Sequence, residues 1–218
     1  PGRIAEAWAE LMRRLGYTRY VAQGGDVGAI VTDQMGRQAP SGLLGIHLNL
    51  LQSALLGASP PADSEKERAA LDAVATFNTS GRAYFIEQAT RPQTIGYALL
   101  DSPLALAAWM LDHDTDAYYK ISRAFTGGQP SGGLPRDSIL DNITLYWLTG
   151  TGASAARSYW ETGRAAALTA GQAPPAVSVP VGFTTFPGEV IPAPRSWAEK
   201  AYPSLSYFNE VNRGAHFA

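Results

Sequence analysis

Apolar residues recur at helical spacing from residue 4 to residue 15, placing Ile4, Trp8, Leu11, Met12 and Leu15 on one face. Gly16 then suits the position just past a helix end. Residues 17–23, short and rich in aromatic and β-branched side chains, predict a strand. It runs straight into Gly24-Gly25-Asp26-Val27-Gly28, after which residues 29–35 resume a helical pattern, and residues 43–50 read as a second, buried strand. Helix, strand, tight turn, helix, strand is the alternation of a parallel sheet covered by helices.

The pattern changes between residues 57 and 65, where Pro60, Pro61, Asp63 and Ser64 mark a boundary leading into a capped helix. From there to about residue 162 the pattern is mostly helical, with helices predicted over 65–77, 103–112 and 138–148 and a Gly/Pro-rich loop over 126–135. Strand patterns return at 177–183 and 205–208, after Pro174 and Pro175. The expected fold is therefore α/β: a mostly parallel sheet built from residues 1–58 and 172–218, with a helical block over 59–171 inserted between its two parts. No internal repeat stands out.

A chain of 218 residues with 45% hydrophobic residues can bury one good core carrying a large insertion. Seventeen Lys and Arg against nineteen Asp and Glu give a net charge of -2, which argues against a nucleic-acid partner, because polyanion binding needs a basic field. The absence of cysteine excludes disulfides, thiolate metal sites and thiol catalysis, and three histidines leave little room for a His-rich metal site. Apolar runs are too short for a membrane span. The amino end lacks Met and carries no information on secretion, and the lack of a membrane anchor makes a soluble, cytoplasmic protein the default expectation.

Chemistry concentrates in Gly24-Gly25-Asp26-Val27-Gly28. A turn that passes from strand to helix this tightly needs small residues on both sides of its centre, and side chains at Gly24 and Gly28 are expected to collide with neighbouring backbone. The central position of such an elbow presents a nucleophile, here a carboxylate, and the N–H of Val27 at the helix start is placed to hold an oxyanion. The bland alternative is an ordinary turn with Asp26 capping the helix. Glu189 follows one C-terminal strand and His216 follows the last, so both are expected at the carboxyl edge of the sheet, where sites of open α/β sheets form. Asp, acid and His in that chain order reproduce the α/β-hydrolase triad with Asp in the nucleophile's place.

Along essentially its whole length the sequence resembles epoxide hydrolases of the microsomal type, within the α/β-hydrolase superfamily. The matching blocks are residues 11–26, Gly45-Ile46-His47-Leu48-Asn49, residues 101–109 and 145–151, Pro180 through Glu189, and Arg213 through Ala218. The resemblance implies that Asp26 is the nucleophile, Glu189 the acid partner and His216 the base. It also implies that the helical block is a cap whose Tyr84 and Tyr159 protonate the epoxide oxygen. The implied reaction converts a small apolar epoxide and water to a vicinal diol through an ester on Asp26, with no cofactor. Trp109 and Trp147 are candidates to line an apolar substrate pocket, while Trp8, Trp160 and Trp197 read as core. Tyr118 and Tyr146 read as packing residues, and His47 as a satisfied core or sheet-end histidine. His113 reads as a solvated helix-end residue, since Asp112-His113-Asp114 cannot all face one ion from a helix.

Two departures from the family pattern matter. Val27 stands where these enzymes carry Trp, which alters the pocket and leaves the backbone donor in place. The family's His-Gly-X-Pro turn, source of a second oxyanion N–H, falls upstream of residue 1 together with the first strands. If these residues folded alone, the sheet would keep an exposed edge, and weak stability or homo-oligomeric association is expected. Two rivals stay open. A haloalkane or haloacetate dehalogenase shares the Asp, acid and His but holds a halide with Trp or Asn donors in place of a tyrosine pair. An inactive binding domain is the other.

Overall fold

The structure is a computed structural model and describes residues 1–51, 62–112, 121, 125–126, 135–168 and 175–216. The described chain divides into two compact units, one formed by Pro1–Phe77 with Ala173–Ala218 and the other by Asn78–Gln172.

In the first unit, α1 (Gly2–Arg14) leads to β1 (Tyr20–Gly24), α2 (Val27–Gln38), β2 (Leu43–Leu48) and α3 (Glu65–Thr76). After the second unit the chain returns as β3 (Val181–Thr185), α9 (Arg195–Ala201) and β4 (Leu205–Glu210). The four strands pair in the order β1-β2-β3-β4, all parallel, with Gly24 opposite Leu48, Leu48 opposite Phe183 and Thr185 opposite Glu210. Every strand therefore ends at the same edge. Fully buried Leu48, Val181, Phe183 and Ile191 anchor the core; each such side chain contributes about 1.5–3 kcal/mol on leaving water. Beneath them Asp33 accepts two hydrogen bonds from Arg37 and one from the Tyr202 hydroxyl, so the carboxylate buried in α2 is fully paired.

The inserted unit begins at Asn78 and not at residue 59, because α3 belongs to the sheet. Its Ala70 and Val74 are buried in the sheet's core, and a capping box of Ser64 and Glu67 starts it. Glu67 also accepts from Ser196 Oγ on α9 at 2.5 Å. The strand expected over 177–183 starts only at Val181: Pro180 has no N–H to give a ladder, and its carbonyl accepts from Ile46 N just before the strand. The apolar face of α1 is a second correction. Ile4, Leu11 and Leu15 are exposed and Trp8 is 51% exposed, because that face turns toward the outer flank of β1, which among the described residues pairs only with β2. An apolar groove results, lined by Trp8, Met12, Val21, Val27 and Met35 among others.

The second unit holds α4 (Ala83–Thr90), α5 (Pro92–Asp101), α6 (Pro103–Leu111), α7 (Arg136–Thr149) and α8 (Gly152–Leu168), after a π-helical turn at Phe77–Gly81. Proline at the first position starts α5 and α6, and Ser102 Oγ accepts from two backbone N–H groups of α6. Leu99, Leu106, Ile139, Ile143 and Ala156 form this unit's core. Most of the loop expected at 126–135, together with His113 and Tyr118, lies outside the described residues. No helix among the described residues is long and apolar enough to cross a membrane.

Candidate active site

The strand-to-helix turn after β1 is an elbow for a steric reason. A Cβ at Gly24 would lie 2.1 Å from the Gly28 carbonyl oxygen and 2.6 Å from Thr32 Oγ1, so only glycine fits. At Gly28 the expectation fails: an added Cβ meets open space, because that first turn of α2 lines the groove beside β1. Asp26 sits at φ 49 and ψ -128, an unfavourable region for a residue with a side chain, costing on the order of 1–3 kcal/mol. Its carboxylate does not cap α2, which removes the bland alternative. Val27 opens α2, where first-turn N–H groups have no carbonyl partner within the helix and the dipole is positive.

Glu189 and His216 are brought together by strand register carried past the end of the sheet. Beyond β3 and β4, Gly188 and Ala215 form an isolated parallel bridge, with Gly188 N donating to Gly214 O at 3.1 Å. The approach is close: a Cβ on Gly188 would meet that of Ala215 at 2.9 Å. The residue after each bridge partner is the acid on one strand and the histidine on the other. His216 Nδ1 lies 2.5 Å from Glu189 Oε1, which also accepts from Val190 N at 2.7 Å. The Glu189 side chain is fully buried. On the other side of the ring, His216 Nε2 lies 3.5 Å from Asp26 Oδ1.

His216 is thus held between two carboxylates. The hydrogen bond to Asp26, and after it the one to Glu189, raises its pKa from the ordinary 6.5 to about 9, against an opposing effect of partial burial. At neutral pH the ring is an imidazolium. Asn49, one residue past β2, joins the cluster: its Nδ2 donates to His216 O at 3.1 Å and stands 3.5 Å from Glu189 Oε2. The strand pattern over 43–50 takes in Asn49 without giving it a role, and its one signal is that it is a single amide within the apolar run Leu48-Asn49-Leu50-Leu51.

In the helical unit, the rings of Tyr84 on α4 and Tyr159 on α8 meet edge to face, 6.0 Å apart between centroids at 88°, and Phe85 packs on Tyr159 at 5.7 Å. The two tyrosines named in the sequence are therefore neighbours. Trp109 and Trp147 are half-buried and pack against this unit's core, as does Tyr146. Trp197 is buried in the core of the sheet unit, whereas Trp160 carries Arg164 over its ring, 5.4 Å from the centroid. His47 Nε2 meets Thr184 Oγ1 at 2.9 Å, and burial lowers its pKa, as for a satisfied histidine inside the sheet.

A parallel sheet with an Asp on a strained elbow after one strand, a buried acid after another and a His bonded to both after the last has the architecture of an α/β-hydrolase. No family model matches the chain. It is 48% identical over 219 residues to a protein of Stigmatella aurantiaca named as a candidate epoxide hydrolase, covering 99% of this chain and 47% of that protein. It is 32% identical over 228 residues to Epoxide hydrolase 1 of Sus scrofa, covering 98% of this chain and 50% of that protein. The structure of Aspergillus niger epoxide hydrolase superimposes with a TM-score of 0.73 at 32% identity, covering 98% of this chain and 51% of that one. The chain belongs to the epoxide hydrolase family within the α/β-hydrolase superfamily. It spans about half the length of the curated relatives it matches.

Proposed function

We propose that this chain carries the catalytic residues of an epoxide hydrolase, with Asp26 as nucleophile, His216 as base, Glu189 as its acid partner and the helical unit as a cap. The observation that supports the reading most is the continuous path from Asp26 through His216 to Glu189, with the nucleophile on a strained elbow and the acid buried. An epoxide carbon is an sp³ electrophile with a poor leaving oxygen, so it needs a nucleophile on one side and a proton donor on the other. A carboxylate oxygen of Asp26 attacks the ring carbon, the C–O bond of the ring breaks, and the freed oxygen takes a proton from Tyr84 or Tyr159. Trp109 and Trp147 supply apolar surface for the organic part of the substrate.

The charge arrangement explains how one histidine serves both halves of the reaction. While Asp26 is ionised it holds His216 protonated. Once Asp26 becomes a neutral ester, the largest influence keeping that proton is gone; the proton leaves to turn the tyrosinate back into tyrosine, and the neutral ring becomes a base. His216 then takes a proton from water, and the hydroxide formed adds to the ester carbonyl. The Val27 N–H steadies the oxyanion. Collapse breaks the ester bond, the departing alkoxide takes the proton of the added hydroxyl and leaves as the diol, and Asp26 is again a carboxylate beside the imidazolium, so no cofactor enters. The tyrosine pair favours an epoxide over a haloalkane, whose departing halide needs no proton.

Supplying the protein with an aryl-alkyl epoxide and, separately, with a haloalkane tests the assignment. Diol from the first and no halide from the second is the expected result. Halide release without diol would move the assignment to dehalogenation, and neither product would show that these residues do not act without the rest of the relatives' length.

A further inference from the structure

Asn49 is buried in the sheet unit, 4% exposed, and lies against the acid, the base and the loop that carries the nucleophile. Its Nδ2 donates to the carbonyl of His216 and faces Glu189 Oε2, to which no other described group donates. Its amide also lies against the nucleophile loop: a Cβ added at Gly25 would stand 2.6 Å from Oδ1 and 3.1 Å from Nδ2. Oδ1 has no hydrogen-bond partner among the described residues. A buried acceptor left unpaired costs about 1–3 kcal/mol, a cost that leucine at this place would not carry. Packing alone therefore does not account for an amide here.

We propose that Asn49 is a positioning residue for the base and its acid partner. By holding the main chain of His216 it keeps the imidazole in reach of both Glu189 and Asp26, and by donating to Oε2 it leaves Oε1 to the histidine. The Gly25 backbone behind it closes the cluster from the nucleophile's side. Asn49 touches no reacting atom; it acts through His216. In the reaction sequence, which rests on the epoxide hydrolase reading, its weight falls on ester hydrolysis, where the base works, and much less on ring opening.

Two variants test this, Asn49→Leu, which keeps the number and branching of side-chain heavy atoms, and Asn49→Ala, which cannot clash if the bulkier leucine fails to fold. The first readout needs no substrate: an NMR titration of His216 in the free protein. In the native chain the two carboxylates beside the ring are expected to put the midpoint well above the ordinary 6.5; in the variants it is expected to fall toward that value as the imidazole loses its fixed contacts. The second is the decay of the alkyl-enzyme followed by intact mass. Decay is expected to slow by about 10–100-fold, the usual effect of removing an orienting partner, with formation changed less than about threefold. A folded variant whose titration does not move, or in which formation and decay slow together, overturns the proposal. A shifted titration with no adduct from any epoxide supports the positioning role and counts against the epoxide reading, so the two failures are distinguishable.

Discussion

Asp26→Asn is expected to abolish the covalent intermediate and lower diol formation by roughly four orders of magnitude or more, the scale on which removing a nucleophile acts. Asparagine keeps the shape of the side chain and tolerates positive φ better than most residues, so the elbow at φ 49 is retained. Only the nucleophilic charge goes. Intact mass after incubation with an aryl-alkyl epoxide reads the result: no adduct, with a melting curve like that of the native chain. A variant that still forms an adduct at the native rate would show that another group attacks, and peptide mapping would find it. The same substitution removes the largest influence raising the His216 pKa, so its NMR titration should move below about 9 even where catalysis is lost.

His216→Gln has the opposite signature. The ring carbon is attacked as before, since Asp26 needs no base to be ionised, but the ester has no group to activate water. General-base assistance contributes about 10²–10⁴-fold, and turnover should drop by that factor while a species heavier by the whole epoxide accumulates, mapped to Asp26. In the native protein the pH dependence runs in a defined direction. Ester hydrolysis requires neutral His216, so its rate climbs with pH to a plateau, with a midpoint below about 9 because the Asp26 charge that held the proton has become an ester. A folded His216→Gln variant with no adduct, or a native hydrolysis rate that falls as pH rises through this range, would contradict the assigned order of steps.

Much of this site could be read from the chain because its parts are local. The small residue before the elbow, the carboxylate at its centre and the helix after it lie within a few positions, and the collision at Gly24 is the physical counterpart of that spacing. Glu189 and His216 could be found because each follows a strand pattern. Three features were not legible, each because it depends on what packs against it. The apolar stripe on α1 has the same periodicity whether it faces a core or a groove, and here Leu11 and Leu15 are exposed. Helix α3 follows the Pro-rich boundary, and only the burial of Ala70 and Val74 assigns it to the sheet. Asn49 carries no motif; its part emerges when parallel register places the end of β2 beside the loops that carry Glu189 and His216.

The Gly188–Ala215 bridge also divides the C-terminal segment into stretches of unequal tolerance to change in length. Acid and base are each one residue past a bridge partner, so their meeting depends on two peptide bonds and one pairing. The segment between them, with α9 and β4, enters only through where it returns. Residues added to the exposed start of α9 would leave the pair in register, whereas one residue added directly after Gly188 would shift Glu189 from its place and put another side chain opposite the ring. Variation in length can therefore accumulate in the middle of this segment while its two ends stay of fixed length.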